Sequence, residues 1–203
     1  MNETNIKTAL DALTRVDSDV ASILITTGYP APRISPAGFE SFLNTIVSQQ
    51  ISTKAAATIW QRVCDLMTDI TPNALLALDG NQLREAGLSQ RKMEYAQGLA
   101  EAIVSGQFSP DALAKLDDER AIEEIIQIRG FGRWSAEIYL MFSLQREDIF
   151  PADDLILLTS LQRLKRLSER PTPAVARKTI EHWAPYRSAG SLFLWHINQY
   201  KDQ

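Results

Sequence analysis

Cysteine is nearly missing from this chain. A single one, Cys64, among 203 residues rules out an internal disulfide and any cluster held by several cysteines. Histidine is as scarce. His182 and His196 are too few and too isolated to suggest a metal site, so both read as structural and no metal is expected. Long apolar runs are lacking too: the longest, around Ile138 to Leu144, is too short to cross a bilayer. Met1-Asn2-Glu3-Thr4 shows neither the basic start nor the apolar stretch of a secretory signal. The expectation is an intracellular protein, in cytoplasm, nucleoid or nucleus, with no membrane partner. Excess positive charge is absent as well, since 21 basic residues against 25 acidic leave a net charge of −4. That argues against nucleic-acid binding by bulk electrostatics. It leaves room for backbone amides and a few arginines to grip phosphates locally, with modest and salt-sensitive affinity.

No Val/Ile/Thr-rich alternating stretch of useful length is present, and no internal repeat or low-complexity tract, so the expected fold class is all-α. Apolar residues recur at helical spacing instead. Ala9, Leu10, Leu13 and Val16 are followed by Val20, Ile23 and Leu24, with Asp17-Ser18-Asp19 as the cap between two helices. Phe39, Phe42, Leu43, Ile46 and Val47 continue through Ile51 to Ile59, Val63 and Leu66. Within that stretch Ser48 and Ser52 can leave helical geometry for local hydrogen bonds. One helix should end near Ser48 and the next begin near Ser52 or Thr53, presenting Gln49 and Gln50 on a turn. Cys64, among Trp60, Val63 and Met67, reads as core. Thr71-Pro72-Asn73 opens a helix with proline in its first position, and Ser89 caps another running from Gln90. Arg91 and Lys92 read equally well as a solvated helix start or as phosphate contacts. Val175 to Trp183 and Ala189 to Tyr200 are the last predicted helices, and Lys201 to Gln203 should fray. With no exposed heptad or large apolar stripe, a monomer is expected.

The stretch from Asp117 to Leu167 organises the rest. Its centre, Ile128-Arg129-Gly130-Phe131-Gly132-Arg133-Trp134, places two glycines between helices. Glycine allows positive φ and close approach of another backbone. A helix starting near Gly132 offers unpartnered amides and a positive dipole end, a site suited to a phosphate oxygen, where Arg133 would add charge. Taken alone, the same residues are also a plain turn between packed helices. The segment after it, Ser135 to Leu144, is apolar on nearly every side and reads as a buried central helix. The loop Phe150-Pro151-Ala152-Asp153-Asp154 then delivers an acidic pair to the start of another helix. A hairpin and a carboxylate at the two ends of one rod would place an acid at a fixed distance from a gripped phosphate.

The run IRGFGRWSAEIYLMFSLQREDIFPADDLIL resembles the helix-hairpin-helix DNA glycosylases that have a Gly/Pro-rich loop and a catalytic Asp, known as the HhH-GPD superfamily. Within them it is similar to the 3-methyladenine DNA glycosylase II branch. GFESFLNTIVSQQIS, AGLSQRK and WAPYRSAGSLFLW also match, so the resemblance covers roughly Ala31 to Trp195. It implies two helical subdomains with a cleft between them. The whole of 1–203 would be one glycosylase domain, with the hairpin at about 121–144 and the N- and C-terminal segments sharing a subdomain. Family members with an extra N-terminal domain are longer than this chain. The single cysteine excludes the iron–sulfur cluster that some relatives carry.

The resemblance also implies site residues. Asp154 falls on the catalytic carboxylate, although an Asp before a helix is by itself an ordinary N-cap. Trp134 and Tyr186 fall on the pocket for the flipped base, and Tyr139 is a weaker candidate for the same wall. Gln50 falls on the residue that wedges into the base stack. Gly130, Gly132, Arg133 and Arg129 would meet DNA phosphates, Arg129 standing where the family commonly has proline. No cofactor is implied, though family hairpins can hold a monovalent cation on their backbone carbonyls. Strand-cleaving members carry a lysine where this chain has Trp134, and Lys92 and Lys165 lie outside the motif. The implied activity is therefore monofunctional hydrolysis of alkylated purines in double-stranded DNA. The alternatives are a glycosylase for deaminated or etheno bases and a non-catalytic DNA-binding module.

Overall fold

In the computed structural model, which describes residues 1–200, every regular element is helical. The expectation for Lys201 to Gln203 lies outside the described residues. The elements in order are α1 (Glu3–Val16), α2 (Ser18–Thr27), α3 (Phe39–Ser48), α4 (Thr53–Asp65), α5 (Pro72–Leu76), α6 (Gly80–Ala86) and α7 (Gln90–Val104). A 3-10 turn (Ala112–Lys115) leads to α8 (Asp118–Ile126) and α9 (Arg133–Phe142). Then come α10 (Leu155–Leu164), α11 (Pro173–Thr179), a second 3-10 turn (Glu181–Trp183) and α12 (Arg187–Ile197). The predicted helix from Val175 to Trp183 is thus two pieces, because Ile180 leaves helical geometry at φ −108°.

The helix starts follow local side-chain chemistry. Each orphan amide of a first turn needs an acceptor, and the preceding residue supplies it. Asp17 Oδ1 accepts from Asp19 and Val20, Ser52 Oγ from Ala55, Thr71 Oγ1 from Ala74 and Ser89 Oγ from Lys92. Asp79 and Gln82 form a reciprocal capping box at the head of α6.

The chain divides into two compact units. One is Ser35–Tyr139. Its core is built from Leu43, Ile46, Val47, Val63, Leu75, Leu83, Leu99 and Ile125 around Phe42. The Phe42 ring stacks on Tyr139 at 4.1 Å and meets Phe108 and Phe131 edge-on, each at 5.3 Å. Cys64 is only half-buried, on the flank of α4, and not in the core as expected. The other unit joins Met1–Ile34 to the chain from Leu140 onward. Ile6, Leu10 and Leu13 of α1, Leu157 and Leu161 of α10, Trp183, and Phe193 of α12 are all fully buried in it. The division falls within α9.

In this second unit an unexpected polar cluster sits against the apolar packing. Asp17 is 3% exposed and does more than cap α2. Its carboxylate also accepts from Lys165 Nζ (2.7 Å) and Trp183 Nε1 (2.6 Å), and lies 3.0 Å from His182 Nε2. Burial alone would raise its pKa, but the bonds from Lys165, Trp183 and His182 outweigh burial and pull it down to about 2.

Candidate functional site

In the unit Ser35–Tyr139, α8 and α9 flank the glycine pair. Gly130 turns the chain at φ +100°, and a Cβ there would collide with the Tyr95 ring. The turn closes through a bond from the Phe131 amide to the Ile128 carbonyl (3.1 Å). Gly132 meets the opposite situation, with nothing within 4 Å of the point a Cβ would occupy. Its carbonyl takes the first bond of α9, from the Ala136 amide. The amides of Arg133 to Ser135 form the first turn of α9, where an α-helix supplies no partners of its own.

Arg133 has acidic partners within its unit. Its guanidinium holds Glu119 through two nitrogens, at 2.9 and 2.5 Å, and Glu137 through Nε at 3.0 Å. The bond to Glu119 raises its pKa above the ordinary arginine value. Glu137 is 2% exposed, so a carboxylate buried on α9 requires this charge beside it. Arg129 remains mostly exposed, 3.8 Å from Glu94, with its guanidinium 5.6 Å from the Tyr95 ring centre.

Gln50 lies on the expected turn between α3 and α4. It is exposed and holds a left-handed backbone at φ +56°. Neighbouring Gln49 points back and donates Nε2 to the Gly130 carbonyl at 2.8 Å. Both residues left open in the sequence have internal bonds. Lys92 Nζ donates to the Val47 carbonyl at 2.6 Å, and Arg91 Nε to the Tyr95 hydroxyl at 2.6 Å. With the Ile128 and Gly130 carbonyls each accepting one bond, a monovalent cation at the hairpin would need their second lone pairs or other carbonyls.

Trp134, in the first turn of α9, keeps 40% of its surface exposed, an unusual fraction for so large an apolar side chain. Tyr139 lies farther along α9. It is 4% exposed, stacked on Phe42, and its hydroxyl accepts from the Gly38 amide at 3.0 Å. Those contacts place it in the core of its unit.

In the other unit Asp154 stands at the N-terminus of α10. Oδ1 accepts from the Ile156 amide (2.8 Å) and the Leu157 amide (3.0 Å), and its own amide bonds Pro151 O (3.0 Å). One carboxyl oxygen and the main chain of Asp154 are therefore both held by backbone groups. Leu155 and Ile156 beside it are 61% and 47% exposed. The first turn of α12 secures the loop that leads to this acid. Arg187 clasps both oxygens of Asp148 at 2.6 Å. Ser188 Oγ donates to Arg146 O (2.7 Å) and accepts from the Ile149 amide (3.0 Å). Arg187 holds the Asp148 carboxyl below the usual carboxylate range. Half-buried Tyr186 immediately precedes that turn.

The sequence reading missed these fasteners, although Arg187 and Ser188 sit in the quoted WAPYRSAGSLFLW motif. It also missed Arg33, whose guanidinium lies 4.1 Å over the Phe142 ring, while the Met1 ammonium donates to its carbonyl at 2.8 Å. Burial lowers the Arg33 pKa, and the nearby Asp154 charge opposes that. No motif marked Arg33. The Pro-rich loop before it was the one available signal.

A family model described as HhH-GPD superfamily base excision DNA repair protein matches residues 43–185. DNA-3-methyladenine glycosylase 1 of Schizosaccharomyces pombe is 34% identical over 168 residues, 81% of this chain and 74% of the relative. Among solved structures, the same yeast's 3-methyladenine DNA glycosylase (Mag1) in complex with abasic DNA superposes with TM-score 0.85 at 32% identity. That match covers 95% of this chain and 97% of the other. A DNA-3-methyladenine glycosidase from Bacillus halodurans superposes with TM-score 0.80 at 30% identity, covering 96% and 88%.

Proposed function

The chain belongs to the HhH-GPD superfamily of base excision DNA repair proteins, and from that premise we propose that it is a monofunctional DNA glycosylase for alkylated purines. It hydrolyses the N-glycosidic bond of bases such as 3-methyladenine and 7-methylguanine in duplex DNA, working inside the cell as a monomer. Residues 1–203 act as one glycosylase domain. The observation that carries the reading is Asp154, an acid at the end of the glycosylase motif whose Oδ1 is immobilised by two amides.

Alkylation at N3 or N7 makes the purine cationic. When the bond to C1′ breaks, the base keeps the electron pair and leaves neutral, so no side chain has to protonate it. Water adds to C1′ and loses a proton. The enzyme must extrude the nucleotide and stabilise the positive charge growing on the sugar. Asp154 supplies the opposite charge, as carboxylates do in glycoside hydrolysis. Its rigid cap geometry limits the reorganisation needed at that moment. Trp134 and Tyr186 would receive the cationic base by stacking and cation–π attraction, worth roughly 0.5–2 kcal/mol. Gln50 would fill the vacated stack, and the amides at Gly130 and Gly132 would hold phosphate.

The test is release of 3-methyladenine and 7-methylguanine from methylated duplex DNA by wild type and Asp154→Asn. The variant should be slower by roughly a hundredfold or more. Equal rates would remove Asp154 from the mechanism. Excision by the wild type of deaminated or etheno bases alone would replace alkylated purines as the substrate class.

A further inference from the structure

The turn that carries Gln50 is fastened from two sides by bonds made within the unit Ser35–Tyr139. Gln50 itself adopts a left-handed backbone, φ +56°. For a residue other than glycine that conformation is costly and persists where its surroundings over-determine it. On one side, the Gln49 amide nitrogen donates to the Gly130 carbonyl, 2.8 Å away at the apex of the hairpin. Gly130 packs closely on the Tyr95 ring, which leaves no room for a Cβ. On the other side, the Lys92 ammonium donates to the Val47 carbonyl at 2.6 Å. Val47 belongs to the last turn of α3, where a cation meets the negative end of the helix dipole. The two bonds tie the segment just before Gln50 to different elements, the Gln49 side chain to the hairpin and the Val47 carbonyl to α7.

We propose that Gln49 and Lys92 are positioning residues that preset the Gln50 turn, locking it to the hairpin and to α7 so that the wedge is formed before DNA arrives. This rests on the reading of Gln50 as the wedge. A preset wedge loses little conformational freedom on entering the stack, which is where preorganisation gains affinity and rate. It also makes phosphate grip and wedge insertion a single event, since the hairpin carbonyl and the Gln49 amide move together.

The experiment uses duplex DNA with an abasic site and 2-aminopurine as the adjacent base, whose fluorescence reports a side chain entering the stack without any chemistry. The whole chain is compared with Gln50→Ala, Gln49→Glu, Lys92→Met, Lys92→Arg and the double variant Gln49→Glu/Gln50→Ala. Gln49→Glu keeps the shape and removes the donor; Lys92→Met keeps the stem and removes the charge. Each should lower the insertion rate at saturating protein about tenfold, the typical worth of one charge-assisted or well-formed hydrogen bond. Lys92→Arg should retain most of the rate. The double variant should be no slower than Gln50→Ala alone, because Gln49 acts through Gln50. A melting temperature lowered in proportion to the rate, or additive losses in the double variant, would reduce Gln49 to an ordinary structural contact and overturn the inference. A normal insertion rate in Gln49→Glu and Lys92→Met beside a slow Gln50→Ala would overturn it while leaving the wedge reading in place. A normal rate in Gln50→Ala would overturn both.

Discussion

At the scale of single residues, charges that look available in the sequence are committed to internal partners. Arg133 neutralises Glu119 and buried Glu137, Lys92 braces α3, and Lys165 pairs with Asp17. Asp17 has the most consequences for stability. Its pKa in the folded protein, about 2, lies below the ordinary 3.8. A depressed carboxylate contributes stability that is present above the unfolded pKa and is lost as pH falls through the folded one. Between pH 4 and pH 2 the folded state should therefore lose about 2 kcal/mol from this group. Urea unfolding across that range would measure the slope. In Asp17→Asn the slope should be shallower, and at neutral pH the variant should be less stable by roughly 1–3 kcal/mol, because Lys165 keeps only the partly exposed Asp19, at 2.9 Å, as counter-charge. An unchanged acid slope in the variant would show that other carboxylates control the acid limit.

At the scale of elements, the hairpin separates two demands on glycine. Gly130 is required by the fold, being at positive φ against the Tyr95 ring. Gly132 has open space where a side chain would point, so the fold alone does not require glycine there. Gly130→Ala should lower stability by at least roughly 1–3 kcal/mol, through strain at this φ and the shift forced on the Tyr95 ring. Gly132→Ala should leave the melting temperature nearly unchanged while weakening binding to abasic duplex DNA, if a phosphate backbone approaches at that point. Thermal melts and fluorescence anisotropy on both variants would decide. Loss of stability in Gly132→Ala with unaltered DNA affinity would assign that glycine to folding. The element beyond the hairpin, α9, carries an exposed tryptophan in its first turn and buried side chains from Ser135 to Phe142 apart from Ile138, so one short helix serves both a surface and a core.

For the whole molecule, absence of strand cleavage is expected from the side chain beside the hairpin. Trp134 occupies the place of the lysine that attacks the sugar in lyase members. Lys92 and Lys165 are bonded at 2.6 and 2.7 Å to internal oxygens, while Lys115, nearer to Trp134 in sequence, is exposed. A Schiff base needs an unprotonated, accessible amine. Incubation with damaged duplex DNA and borohydride should therefore trap no covalent adduct under conditions where base release is complete. A trapped adduct would identify an amine that reaches the sugar, either exposed Lys115 or one that has left its internal partner.

Much of this protein is determined by local pattern. Helical spacing, the absence of strand-like alternation, and caps at Asp17, Ser52, Thr71 and Ser89 are enough to set an all-α chain with most of its helix starts, because capping and amphipathic periodicity act within a few residues. The hairpin glycines and the Asp154 cap were legible for the same reason. What the tertiary structure alone decided involves partners far apart in sequence: Asp17 with Lys165 and Trp183, Gln49 with Gly130, Arg187 with Asp148, and Tyr139 against Phe42. Whether an arginine faces solvent or a buried carboxylate, and whether a tyrosine lines a surface or fills a core, depends on which side chains packing brings within a few ångströms, and no local spacing encodes that.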